Sequence, residues 1–231
     1  TLAHALTTRP AEAAVQIRAG EVEMWLRRGL SDPDQADAVL AAVESSKSHS
    51  GDTLGSDDYL VTKTAIIMDP EAPIRFKRFA FMPEGYGTAL AVEFARSGEV
   101  QIPAEVIMLA LPALWYSSQP EYKPGKNAME RTFLDLQGFL KNNNLGYGIE
   151  RCLYAVNPSL PCRSPLVFQD YVETIADVLP ALNTAATRAD SRSRPIDRHT
   201  AAFIAAHFNM NIDHLLRAVS STDEKISSIG L

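Results

Sequence analysis

Lys126-Asn-Ala-Met-Glu-Arg-Thr-Phe-Leu-Asp-Leu-Gln-Gly-Phe-Leu-Lys141 decides the fold class. Met129, Phe133, Leu136 and Leu140 stand at i, i+4, i+7 and i+11, which places them on one face of an α-helix. A strand would need alternation of period two, and none is present. Asn142-Asn-Asn144 ends the run.

The same spacing recurs on both sides. Upstream, residues 10–19 read as a short helix with Pro10 in its first turn, where a missing N–H costs nothing, and Gly20 after it. Residues 21–28 follow, with Val22, Trp25 and Leu26 on one face, and Gly29 stops them. Asp32-Pro33-Asp34-Gln35 is a helix start: Asp32 can cap, Pro33 fits the first helical position, and Gln35 stands three residues after the cap. That helix runs through residues 36–43. Residues 88–96, 103–117 and 145–156 are further helices, the second opened by Pro103 and strongly apolar. Ser164-Pro165 pairs a capping hydroxyl with a first-turn proline and opens a segment reaching Tyr171 and Leu182. A last pair is expected at 197–208 and 212–219, with a frayed tail from Ser220.

Two stretches resist this reading. Residues 59–68 could be a buried helix or a short strand, and periodicity does not decide. Phe76, Phe79 and Phe81 are spaced by three and two, which fits neither period well, so 76–82 reads as an aromatic core segment leading to a turn at Pro83-Glu-Gly-Tyr-Gly87. The fold class is therefore all-α or nearly so, a multi-helix bundle or an irregular helical array, with at most a small β element near 59–82. The 231 residues form one helical domain with possible subdivision at the polar linkers 45–58 and 187–195. Trp25, Trp115, Phe133 and Leu136 are the expected core markers.

Composition narrows function by exclusion. Twenty-two Lys and Arg against 28 Asp and Glu give a net charge of −6, which offers no global attraction to nucleic acid. Arg27-Arg28 and Arg188, Arg192, Arg194 and Arg198 are the basic clusters. The second is mixed with Asp190 and Asp197 and reads as a solvated linker, so no nucleic-acid partner is expected. The longest apolar run, 106–116, is interrupted by Pro112 and too short to span a bilayer, which needs about 20 residues. The first twenty residues lack an apolar signal core. Cys152 and Cys162 make no CxxC motif and read as free thiols in a reducing compartment. The expected localisation is cytoplasmic, without a transmembrane segment.

No catalytic motif assembles: GxxxxGK[ST], HExxH and GxSxG are absent. His199, His207 and His214 are spaced by eight and seven, about 10.5–12 Å along a helix axis, too far to share one ion. Gly85-Tyr-Gly87 resembles the start of a dinucleotide loop, but Leu90 stands where the third glycine belongs. Asp135 with Glu130, or Asp170 with Glu173, are conceivable acid pairs that read as surface charges. Neither a cofactor nor a metal is expected.

Three stretches together resemble the helical accessory regions of large bacterial serine/threonine kinase-like regulatory proteins: residues 18–28 (Arg-Ala-Gly-Glu-Val-Glu-Met-Trp-Leu-Arg-Arg), 151–158 with 160–166, and 197–204 (Asp-Arg-His-Thr-Ala-Ala-Phe-Ile). The resemblance spans most of the chain. The Gly-rich loop, His-Arg-Asp and Asp-Phe-Gly are missing, so it implies an accessory module of a larger protein, not an active kinase, and carries over no site residue.

The leading functional reading is a non-catalytic protein-interaction or regulatory module. Its expected contact residues are Arg27, Arg28, Tyr147 and Arg151, since Arg and Tyr are enriched at binding hot spots. The alternatives are an enzyme of unfamiliar motif, with its site in 152–163 or around Gly85-Tyr-Gly87, and a ligand-sensing helical domain. A pocket lined by perturbed titratable groups would favour an enzyme, and a broad groove with aromatic and arginine rims a partner surface.

Overall fold

A computed structural model describes residues 1–49, 51–96, 98–188, 196–208 and 214. They form twelve α-helices and one two-stranded antiparallel sheet, so the protein is mostly helical with a small β element. The helices are α1 (Leu2–Thr8), α2 (Pro10–Arg18), α3 (Glu21–Gly29), α4 (Pro33–Ser48), α5 (Asp57–Met68), α6 (Tyr86–Arg96), α7 (Gln101–Met108), α8 (Leu111–Ser117), α9 (Ala128–Lys141), α10 (Ile149–Val156), α11 (Ile175–Arg188) and α12 (Arg198–His207). The strands are β1 (Ile74–Phe76) and β2 (Phe79–Phe81). None of these helices is long and apolar enough to cross a membrane.

The chain divides into two compact units. Residues 1–86 and 101–133 make the first, and residues 87–100 and 134–231 make the second. The changes fall inside α6, before α7 and inside α9, and residues 45–58 lie within the first unit.

In the first unit, α1 to α5 enclose an aliphatic core of Leu6, Ile17, Val22, Leu26, Val39, Val43, Leu60 and Val61, interleaved with small alanines. The capping chemistry is as read from the sequence: the Asp32 carboxylate accepts from the Gln35 N–H at 3.0 Å and Pro33 occupies the first turn of α4. Residues 59–68 are helical. The expected linker 45–58 is largely structured. Helix α4 continues to Ser48, a 3₁₀ turn covers Thr53–Gly55, and Ser56 caps α5 by accepting from the Tyr59 N–H. Serines that read as loop composition here serve as helix ends.

The aromatic segment is a hairpin. Ile74 pairs with Phe81 and Phe76 with Phe79, which puts all four on one buried face, while Arg75 and Ala80 share the other. Its tight turn is Lys77-Arg78, with Lys77 in the left-handed region at φ 54°, where Asn-Gly or Asp-Gly is the usual choice. Phe79, Phe81, Tyr86 and Phe133 then form a chain of ring contacts with centroids 5.0–6.2 Å apart.

The continuous helix expected over 103–117 is two helices. Ala110 adopts a left-handed φ of 54° and α8 restarts with Pro112 in its first turn. Proline there cannot supply the N–H that would continue α7. The Trp115 indole donates to the Ala72 carbonyl at 2.9 Å. Trp115, Phe133 and Leu136 are buried, at 8%, 5% and 0% exposure, whereas Trp25 is 43% exposed. Trp25 stands about 100° around the axis from Leu26, at the edge of the apolar stripe rather than in it.

In the second unit, α10 packs on α12 through Tyr154 and Phe203, whose rings meet edge-on at 5.3 Å. Gly87 explains half of the Gly85-Tyr-Gly87 motif. A Cβ there would stand 2.6 Å from the Val156 carbonyl oxygen, so glycine permits close approach of backbones as the segment enters α6. Asn157 closes the same contact, its side-chain amide donating to the carbonyls of Gly87 and Leu153, each at 2.9 Å. Ser164-Pro165 does not start a helix. A 3₁₀ turn at Phe168–Asp170 ends in left-handed Tyr171, and α11 begins only at Ile175. Of the terminal pair, α12 forms with Asp197 as its cap. Residues 189–195, 209–213 and 215–231, with Arg192, Arg194 and all of the expected last helix but His214, lie outside the described residues.

Candidate functional site

The first half of the expected contact surface lies on α3. Val22 and Leu26 hold this helix to the core. About 100° per residue then turns Met24, Arg28 and Glu21 to the opposite arc, with Trp25 between that arc and the buried stripe. Arg28 falls between its neighbours three and four positions back, Trp25 and Met24. Met24, Trp25 and Leu30 are 45%, 43% and 56% exposed, three large apolar side chains within seven residues. Gly29 leaves bare backbone beneath the indole, since a Cβ there would come within 3.2 Å of the Trp25 ring.

The two arginines separate. Arg27 is committed within the protein: it binds Glu23 one turn back at 2.6 Å and Asp37 of α4 at 2.5 Å, and these carboxylates, Asp37 foremost, raise its guanidinium pKa. Arg28 is exposed and makes no hydrogen bond or ion pair among the described residues. Sequence reasoning treated Trp25 as core. Had it been placed at the stripe's edge, the Trp25–Arg28 adjacency would have marked the surface.

Tyr147 and Arg151 belong to the second unit and are both half-buried. Each packs on Phe139: the Tyr147 ring is 6.3 Å from it, and the Arg151 guanidinium sits 5.0 Å over its face. Tyr147 also joins the small apolar cluster with Ala201, Ala205, Leu145 and Ile204.

The stretch 152–163 contributes to a buried polar network. The Tyr154 hydroxyl accepts from the Arg163 N–H at 2.8 Å and meets His199 Nδ1 at 3.0 Å. Ser164 Oγ donates to Asp197 Oδ2 at 2.7 Å and accepts from the Leu166 N–H, and Asp197 Oδ1 caps α12 through the Thr200 N–H at 2.8 Å. Tyr154, Ser164 and Thr200 are sealed from solvent at 1%, 0% and 1% exposure. Burial pushes the Cys152 thiol up to about 12 and raises that of Cys162. A nucleophilic cysteine must be a thiolate with access to substrate, and these thiols meet neither condition. Both act as small buried apolar groups.

His199 and His207 are likewise engaged internally. Both ring nitrogens of His207 face carbonyl oxygens, of Phe203 at 2.8 Å and Pro158 at 2.9 Å. Among the described residues, no three potential metal ligands of the His, Cys, Asp or Glu type come together. Of the conceivable acid pairs, Glu130 accepts from the Tyr122 hydroxyl at 2.7 Å, and Asp170 pairs with Arg188.

His199 gives a pH dependence. Burial, the largest cause, lowers its pKa below the ordinary imidazole value of about 6.5. The unfolded chain therefore takes up a proton that the folded protein refuses. Stability is at its full value above about pH 6.5 and falls as pH drops from there toward the folded-state pKa. Urea midpoints measured across this range should decline on acidification, and His199→Gln should flatten that part of the profile.

Compared with protein-family models, curated proteins and solved structures, the chain has no match.

Proposed function

We propose that this protein acts by contact, as a non-catalytic protein-interaction or regulatory module, and that the outer face of α3 is its principal contact surface. The observation that carries the reading is Trp25, a tryptophan left 43% exposed beside the guanidinium of Arg28, which is unpaired among the described residues. Tryptophan and arginine are the residues that most often dominate binding energy. An exposed indole next to exposed Met24 suits an apolar pocket on a partner. Arg28 suits a carboxylate at that pocket's rim, where a planar guanidinium can bind both oxygens. Arg27 holds α3 against α4 and so presents the face. Tyr147 and Arg151, seated around Phe139, are a second and less protruding candidate contact.

The test compares partners recovered on the wild-type chain with those on Trp25→Ala and Arg28→Ala, then measures affinity with the purified partner. Trp25→Ala should weaken binding by at least about 2 kcal/mol, roughly thirtyfold. Its cost to folding should stay well below the 3–5 kcal/mol typical of a buried tryptophan, because so much of the ring is already in water. Unchanged affinity in the Trp25→Ala, Arg28→Ala double variant, with helicity intact, removes this surface. Robust turnover of a small substrate by the chain would remove the larger claim.

A further inference from the structure

The geometry points to a ligand site in the first unit, a pocket of about 200 Å³ between α1, the end of α5 and β1, suited to a small zwitterion such as an α-amino acid. Ala3, Ala65 and Ile66 supply apolar wall, while Asp69, Arg75 and His4 bring polar groups to it. The hairpin register explains Arg75: Ile74 and Phe76 go into the core, so Arg75 between them must point to the other face. Thr62 fixes its backbone, donating to the Arg75 carbonyl at 2.8 Å. Asp69 is the C-terminal cap of α5, its N–H tied to the Ala65 carbonyl at 3.0 Å.

Both charged residues are half-buried. Among the described residues neither side chain makes a hydrogen bond or ion pair, and they do not pair with each other. Opposite charges held on one concave wall without partners are complementary to a molecule that carries both signs. The Arg75 guanidinium would take the carboxylate through two parallel hydrogen bonds. The Asp69 carboxylate would take the ammonium, at a helix end whose carbonyls favour positive charge. The volume is below that of pockets for drug-sized molecules, which begin near about 300 Å³, so it admits a compact ligand.

Thermal-shift and calorimetric titrations of the full chain with glycine, alanine, serine, glutamate and lysine, each separately, test this site. Acetate and methylamine serve as half-ligand controls. At least one amino acid should raise the melting temperature saturably and bind with measurable heat, and neither control should match it. Arg75→Gln and Asp69→Asn should each weaken that binding by about tenfold or more, with far-UV helicity unchanged. Arg75→Lys keeps the charge and loses the fork, so it should bind between wild type and Arg75→Gln. The proposal is overturned by the absence of binding for all five amino acids. It is equally overturned by binding that acetate or methylamine reproduces, or by affinity unaltered in both Arg75→Gln and Asp69→Asn.

Discussion

Phe133→Ala is expected to destabilise the protein by about 3–5 kcal/mol, the range for deleting a buried phenylalanine ring. Phe133 is 5% exposed and meets Tyr86 edge-on, with centroids 5.6 Å apart. Tyr86 in turn touches Phe79 and Phe81 of the hairpin, and its hydroxyl donates to the Pro103 carbonyl at 3.1 Å. Removing the ring therefore opens a cavity at one end of a four-ring chain and loses an aromatic pair worth about 0.5–1.5 kcal/mol beyond its area. Phe133→Leu keeps most of the volume and should cost less. Urea unfolding monitored by far-UV ellipticity measures both, and a loss under about 1 kcal/mol for Phe133→Ala would contradict the packing described.

The second large effect is expected at Asp197. Its carboxylate does two jobs at once, capping α12 and receiving the buried Ser164 hydroxyl. Loss of the cap alone costs about 1 kcal/mol. Stranding a fully buried hydroxyl adds about 1–3 kcal/mol. Asp197→Ala should thus cost about 2–4 kcal/mol, more than an ordinary cap substitution. Ser164→Ala made in the Asp197→Ala background should be cheaper than in wild type, because the stranded hydroxyl goes with it. A double-mutant cycle reads this directly. Strict additivity would mean that the two side chains do not interact.

Local chemistry made much of this fold legible. Asp32-Pro33 acts through backbone groups within three residues, so its role follows from the letters nearby; Asp197 caps in the same way but reads among its arginine neighbours as a linker charge. The amphipathic run of α9 also needs no distant information, and it yields Phe133 and Leu136 as core. The misreadings share the opposite property. Ser164 precedes a proline as a cap would, but its hydroxyl is claimed by Asp197, far along the chain. Lys77-Arg78 makes a hairpin turn without turn residues because the four apolar side chains around it dictate the register. Nothing beside Ala110 announces its left-handed backbone, and α1 is too short to display a period. At the candidate site, Glu23 one turn before Arg27, where Arg28 has Met24, is the local sign that Arg27 is the engaged arginine. The second carboxylate, Asp37 on the neighbouring helix, carries no such local sign.

The interleaving of the two units bears on synthesis. A chain emerging from the ribosome delivers α1 to α5 first, and their aliphatic core is complete without later residues. The four-ring chain is different. Phe79, Phe81 and Tyr86 appear early, but they await Phe133, which comes only after residues 87–100 of the other unit have already been made. At elongation rates of about 5–20 residues per second, those aromatic faces stay uncovered for seconds. The protein therefore cannot finish one unit before starting the next, and the hairpin face is where a nascent chain would most need a chaperone.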